Sequence, residues 1–198
     1  MNKSRFQHHS LRGQHWLAQV IAWAACLGLW CESCLVGRAE GSLTEYQVKA
    51  LYLLNFIKYV DWPPNTIAGS NAPTTIGLCG ESKLGEALKI VAAGKSIGGR
   101  LIAIREIGAT NDFSPCQILF ISDAESFRMR QILEKASALP ILTVGEGAAF
   151  AQNGGIINFV LKNGTVRLEI NLSAAKKAGL TISSRLLAVA DVVKGKAD

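Results

Sequence analysis

Hydrophobic and polar positions near the start of the sequence predict a long helix at residues 43–62. Thr44 can cap its first turn, and Pro63-Pro64 is predicted to end it. The polar stripe is narrow and consists of Gln47, Asn55 and Lys58. A helix that is apolar almost all round must be covered on more than one side. We therefore predict either a dimer or partner surface or a helix at the centre of the core.

Short apolar runs that alternate with helical patterns follow. Strands are predicted at 74–79, 101–104, 117–121 and 141–144, helices at 82–93 and 125–138, and a turn at 94–100. The run QILFI is apolar throughout, as in a parallel strand that is buried on both faces. Ser122 and Glu125 are predicted to form a capping box for the second of these helices.

The last third of the chain changes to a hairpin pattern. Strands at 155–161 and 165–170 flank Asn163-Gly164, a dipeptide that favours a tight turn because both residues tolerate positive φ. Residues 172–178 and 183–193 are predicted to be helical. The whole pattern predicts an α/β fold: a three-layer sandwich with a mixed, mostly parallel sheet flanked by helices, and a C-terminal β-hairpin.

The N-terminus is typical of a secretory signal peptide. Basic residues precede an uncharged apolar run, 16–30, and Gly37-Arg38-Ala39 is a small-x-small cleavage pattern. We expect cleavage after Ala39, which makes residues 1–39 the signal peptide, residues 40–198 a single domain, and the location periplasmic. The alternatives are an uncleaved N-terminal membrane anchor and, less well matched, a lipoprotein at Cys26.

Removal of residues 1–39 changes the chemistry that is left. The formal net charge falls from +6 to +3, and every histidine leaves with the leader. The mature chain therefore has no Ser-His-Asp or Cys-His arrangement and no His-ligated metal site. A charge of this size gives no argument for nucleic-acid binding. We expect no catalytic residues, no metal and no cofactor.

Three weaker motifs have ordinary explanations. Gly94-Lys95-Ser96 lacks the preceding glycine and strand of a phosphate-binding loop and is interpreted as a turn. Asp123 and Glu125 follow a strand, as magnesium ligands do in some α/β proteins, but helix capping accounts for them. A hydrolase that uses carboxylates alone remains a third hypothesis, for which the sequence offers no candidate pair.

Cys79 and Cys116 are the two cysteines of the mature chain. In an oxidising compartment two cysteines more often pair, so a disulfide is expected. If their strands are parallel neighbours, however, the two residues lie at opposite ends of the sheet, beyond the Cα separation of about 7 Å that a bridge tolerates. Two separate thiols are the alternative.

Two long segments resemble a known family. The first is EYQVKALYLLNFIKYVDWP, and the second contains INFVLKNG, VRLEINLSAAKKAGL and ISSRLLAVADVV. IGLCGESKLG, GKSIGGRLIAI and CQILFIS lie between them. In this order they resemble the YfiR-like proteins of Gram-negative bacteria, over residues 43–193.

The resemblance implies a periplasmic, non-catalytic regulator that forms a homodimer. Its partner would be an inner-membrane diguanylate cyclase of YfiN type, which it represses, lowering cyclic di-GMP and with it exopolysaccharide and biofilm formation. An outer-membrane lipoprotein of YfiB type would relieve the repression. The alternative is a periplasmic small-molecule or redox sensor of the same fold.

The resemblance also implies roles for particular residues. Cys79 and Cys116 match the family's bridging pair, although the family cysteine of the first strand corresponds more closely to Gly77. A second cysteine pair that some members have is absent from this chain. Glu169 and Asn171 match a segment implicated in partner or ligand contact, with helix capping by Asn171 as the alternative. The expected partner or dimer contacts on the first helix are Tyr52, Asn55, Phe56, Tyr59 and Trp62.

Overall fold

The structure is a computed structural model, which describes residues 43–64, 66 and 72–195. The predicted signal peptide at 1–39 lies outside the described residues. No helix in the described part of the chain is long and apolar enough to cross a membrane.

A mixed eight-stranded sheet forms the centre of the domain. Its strands are β2 (Thr74–Cys79), β3 (Ser96–Ile97), β4 (Arg100–Glu106), β5 (Ile118–Ile121), β6 (Leu142–Gly145), β7 (Ile157–Lys162), β8 (Thr165–Asn171) and β10 (Ala190–Val193). Their order across the sheet is β10-β8-β7-β6-β5-β2-β4-β3. A separate antiparallel pair joins β1 (Val60–Asp61) to β9 (Thr181–Ile182). The helices are α1 (Glu45–Tyr59), α2 (Lys83–Ala92), α3 (Met129–Ala136), α4 (Leu172–Lys177) and α5 (Ser184–Leu187).

The middle of the sheet is parallel. Strands β4, β2, β5, β6 and β7 run in the same direction, and β2, β5 and β6 are buried along their whole length. Strand β8 returns antiparallel to β7 through the predicted tight turn, where Asn163 has φ 51° and Gly164 has φ 72°. The predicted mixed, mostly parallel sheet flanked by helices is confirmed, and so is its hairpin.

Two hydrophobic clusters lie on opposite faces of the sheet, because successive side chains of a strand point to opposite sides. Ile76 and Leu78 of β2 belong to the cluster that α1 and α2 cover. Cys79 belongs to the second cluster, which contains Ile132 and Leu133 of α3. Helix layers on both faces of one sheet make the three layers that the sequence predicts.

Helix α1 begins where the sequence predicts but ends earlier. Thr44 Oγ1 accepts a hydrogen bond from the backbone N–H of Gln47, whose side chain accepts one from Thr44 N–H, so the two residues form a capping box. The helix ends at Tyr59, before the prolines, because Val60 turns extended and pairs with Ile182 in β1–β9. The predicted extension of the helix to residue 62 is therefore wrong.

The helix at 125–138 is also shorter than predicted. A 3-10 helix at Asp123–Arg128 comes first, and α3 follows it. Ser122 Oγ accepts a hydrogen bond from Ala124 N–H and donates one to the Glu81 carbonyl, so Ser122 is the predicted N-cap. The backbone N–H of Ser122 donates to the Cys79 carbonyl at 2.9 Å rather than to the Glu125 side chain, so the predicted capping box is incomplete.

The C-terminal segment differs most from its prediction. Only Ser184–Leu187 is helical, and Ala190–Val193 forms β10, parallel to β8. β-Branched Val192 and Val193 favour a strand, and β10 pairs with backbone groups of β8 that would otherwise form an open sheet edge. The predicted helix at 183–193 is thus corrected to a short helix followed by an edge strand.

Candidate functional site

The predicted contact residues of α1 do not share one environment. Phe56 is fully buried, and its ring stacks on Phe159 with centroids 6.0 Å apart. It is therefore a core residue, as the alternative of a central helix predicts. The other four predicted contacts are half-buried at the surface of the domain: Tyr52, Asn55, Tyr59 and Trp62.

Trp62 is attached to the amino end of the parallel sheet. Its indole N–H donates a hydrogen bond to the Gln117 carbonyl at 3.3 Å. The Gln117 side chain in turn accepts a hydrogen bond from Thr75 N–H at 2.7 Å. This chain of bonds fixes the segment after α1 against β5 and β2, so the half-buried Trp62 ring has a defined position.

Glu169 lies on β8 opposite Asn158 of β7. Asn158 is 1% exposed, and its side-chain nitrogen donates a hydrogen bond to Glu169 Oε2 at 3.2 Å. Glu169 itself is half-buried. Its carboxylate is thus held by a buried amide rather than by a basic side chain.

A second carboxylate lies close by, in a partly buried ion pair. Lys49 of α1 is 5% exposed. Its ammonium lies 2.6 Å from Glu45 and 2.9 Å from Glu146, which follows β6. Burial lowers the pKa of Lys49, but hydrogen bonds and charge attraction from Glu146 and Glu45 outweigh that effect, so the pKa is raised above 10.5.

These polar groups line one crevice at the surface, which we call the Asn158 crevice. Its charged or amide-bearing side chains are Glu45, Lys49, Glu146, Gln152, Asn158 and Glu169. It is about 530 Å³ in volume, within the range of small-molecule sites. Of these residues the sequence predicted only Glu169.

Two signals in the sequence point to two of the other crevice residues. Lys49 interrupts the apolar side of the first helix, and Asn158 lies inside the apolar strand INFVLK. A polar residue in an apolar run has to find a partner when it is buried. Glu146 and Gln152 lie in a loop, whose path the pattern does not predict.

Asn171 has a structural role. It is 2% exposed, and its side-chain oxygen accepts a hydrogen bond from Ala174 N–H at 3.0 Å, as an N-cap of α4. Its side-chain nitrogen donates one to the Ala151 carbonyl at 2.7 Å. The predicted alternative of helix capping is confirmed. Asn171 lines a second cavity, also of about 530 Å³, which contains Arg130 and Lys177.

Cys79 and Cys116 are free, buried thiols, so the expected disulfide between them is not formed in the structure. The register explains why: β2 and β5 are parallel neighbours, and Cys79 is level with Ile121, five residues after Cys116. Burial raises the pKa of each thiol to about 11. Neutral thiols are poor nucleophiles, so neither cysteine has the character of a reactive group.

Cys116 instead faces Gly77. A Cβ placed on Gly77 would lie 2.9 Å from Cys116 Sγ. In a disulfide the Cβ of one cysteine lies about 3 Å from the sulfur of the other. Position 77 is therefore the one at which a cysteine would meet Cys116, in agreement with the resemblance that places the family cysteine there.

No group of three or more His, Cys, Asp or Glu side chains that could hold a metal ion occurs in the described part of the chain. The carboxylates of the Asn158 crevice are bound to Lys49 and Asn158, as described above.

Comparison with known proteins gives a family and a fold. A crystal structure of a conserved domain protein from Vibrio cholerae matches with a TM-score of 0.55 at 16% identity. The match covers 77% of this chain and 61% of the Vibrio chain, and at this identity it shows the fold alone. No curated protein matches.

The family model described as YfiR/HmsC-like matches residues 46–191. This range includes the sheet apart from the last two residues of β10, all five helices apart from the first residue of α1, and the Asn158 crevice except for Glu45. Proteins of this family are periplasmic and regulatory, and they are associated with diguanylate cyclase signalling. By this match over most of its length, the chain belongs to the YfiR/HmsC-like family.

Proposed function

We propose that this protein is a periplasmic repressor that binds an inner-membrane diguanylate cyclase of YfiN type and lowers cyclic di-GMP. The family match over residues 46–191 carries the proposal. The protein would act through its surface and not by catalysis. Its thiols are buried and neutral, and the ion pair at Lys49 is already satisfied within the domain.

The contact surface that we propose includes the half-buried aromatic residues around α1 and the half-buried Glu169. Tyr59 and Trp62 are aromatic groups with limited freedom, which suits them to interfaces. Glu169 offers a carboxylate at the surface of β8 for a basic group of the partner. Phe56 is excluded from this surface because it is fully buried.

Export with cleavage of residues 1–39 and formation of a homodimer belong to the same proposal. A lipoprotein of YfiB type in the outer membrane would bind the protein and release the cyclase. Mass spectrometry of the periplasmic fraction, which should show a mature chain beginning at Glu40, and light scattering of that chain test these parts separately.

The test of repression is the cellular level of cyclic di-GMP when the protein is co-expressed with an inner-membrane cyclase of YfiN type from the same organism. We expect that level to fall relative to cells that express the cyclase alone. Glu169→Lys reverses a proposed contact charge and should weaken repression. Glu86→Lys makes the same change at an exposed position of α2, remote from β8 in the sheet order, and should repress normally.

An unchanged level of cyclic di-GMP, with normal export and folding of the protein, would contradict the repressor proposal. If Glu169→Lys and Glu86→Lys changed the level of cyclic di-GMP equally, Glu169 would not be part of the contact surface.

A further inference from the structure

Two buried amide oxygens in the Asn158 crevice have no hydrogen-bond donor from the part of the protein that the structure describes. They are Asn158 Oδ1 and Gln152 Oε1. A buried acceptor without a donor is energetically unfavourable, and buried polar groups of native proteins almost always have a partner. Both side chains line the crevice, so a ligand with N–H or O–H donors could supply the missing hydrogen bonds to these oxygens.

The orientation of the Asn158 amide follows from its neighbour. The Glu169 carboxylate can only accept hydrogen bonds, so the nitrogen of Asn158 must face it. The oxygen of the same amide therefore points away from Glu169 and is the atom left without a donor. An exchange of the two atoms would set the oxygen against a carboxylate and is excluded.

The charge of the crevice selects the kind of donor. The crevice contains three carboxylates, from Glu45, Glu146 and Glu169, and one ammonium group, from Lys49. Lys49 forms ion pairs with Glu45 and Glu146, whereas the side-chain hydrogen bond to Glu169 within the described residues comes from a neutral amide. The local charge is thus negative, in a chain whose overall formal charge is +6.

We propose that the Asn158 crevice binds the primary ammonium group of a small molecule. An ammonium group is a cation with three hydrogen-bond donors and no acceptor. It matches an arrangement of amide oxygens and carboxylates, as the contacts of Lys49 with two carboxylates in the same crevice illustrate. A ligand carboxylate would meet like charges there.

This inference is independent of the proposed cyclase partner, because the crevice is formed within one chain. Ligand binding would add an input to the regulator: an amine beside Glu169 would change the charge of the surface that we propose for the partner. Calorimetry on the purified protein alone tests binding, so failure of the repressor proposal would not affect the result.

The probe is n-butylammonium chloride, measured by isothermal titration calorimetry against the exported protein. Tetramethylammonium chloride carries the same charge without N–H donors, and magnesium chloride supplies a metal cation. We expect saturable binding of butylammonium. The dissociation constants of both comparison cations should be about tenfold higher or more, because the loss of one charge-assisted hydrogen bond weakens binding by about that factor. Equal binding of all three cations, or no heat from butylammonium, would overturn the proposal.

Glu169→Gln removes the charge of the crevice carboxylate and keeps its size, so the variant should fold and bind butylammonium about tenfold more weakly. Glu86→Gln, at the exposed position of α2, is the matched control and should bind as the wild type does. An unchanged affinity in Glu169→Gln, with native circular dichroism, would contradict the assignment of Glu169.

Discussion

A cysteine at position 77 should form a disulfide with Cys116. A Cβ on Gly77 would lie 2.9 Å from Cys116 Sγ, close to the separation of about 3 Å across a disulfide. The bridge would close a loop of about 40 residues, for which the chain-entropy model gives a stabilisation of about 4 kcal/mol. We therefore expect Gly77→Cys to be about 4 kcal/mol more stable when oxidised than when reduced.

The new side chain also has a cost. The same Cβ would lie 2.9 Å from Ile107 Cδ1 and 3.1 Å from Leu119 Cδ1, so these side chains must shift. Overpacking of this kind costs about 1–3 kcal/mol. The oxidised variant should therefore exceed the wild type by only about 1–3 kcal/mol, and the reduced variant should be less stable than the wild type.

Urea unfolding with and without dithiothreitol measures both differences. With a slope of about 2 kcal/mol per molar urea, the bridge should shift the midpoint by about 2 M. Gly77→Ser has nearly the same size as cysteine and no thiol, so it should show the packing cost under both conditions. Two free thiols in the oxidised variant, or a midpoint that does not respond to dithiothreitol, would refute the geometry of Gly77 and Cys116.

Three further predictions concern the ion pair, the hairpin and the thiols. Lys49→Met should lower the free energy of unfolding by about 2–3 kcal/mol, because it leaves the largely buried Glu146 carboxylate without its partner; denaturation curves of the variant measure this. Because the folded-state pKa of Lys49 is raised above 10.5, the contribution of Lys49 to the free energy of unfolding is complete below pH 10.5 and is lost as the pH rises through the folded-state pKa. An equal pH dependence of the unfolding free energy in the wild type and Lys49→Met would contradict this. Gly164→Ala should lower the free energy of unfolding by about 1 kcal/mol in thermal denaturation, since φ is 72° there and, apart from the chain neighbours, no described residue has an atom within 4 Å of an added Cβ. Cys79 and Cys116 should not react with a thiol reagent in the native protein at a pH well below 11, and should react fully in guanidinium chloride; rapid native labelling would be the contrary result.

Most of the fold is predictable from the sequence because its signals are local. The apolar run QILFI, the cap at Thr44 and the Asn163-Gly164 turn each specify their own element. The segment 183–193 shows where local signals are insufficient. Its apolar pattern suits a helix or a strand, and pairing with the open edge of β8 decides between them.

The site is less predictable because its residues come together through the order of the strands. Lys49 and Glu146 are 97 residues apart in sequence, and nothing in the pattern of either segment indicates their ion pair. The family resemblance indicates Glu169, whereas the sequence pattern around this residue does not. The buried amide of Asn158 is a signal in the sequence, but its partner on β8 depends on the hairpin register.

The most direct test of the proposed repressor function is the affinity of the exported protein for the isolated periplasmic domain of a YfiN-type cyclase from the same organism. Biolayer interferometry measures it without cells, membranes or nucleotides. We predict saturable binding with a Kd of about 1 μM or tighter, weakened by Glu169→Lys and unchanged by Glu86→Lys. The absence of binding at about 100 μM, with both proteins folded, would contradict the account.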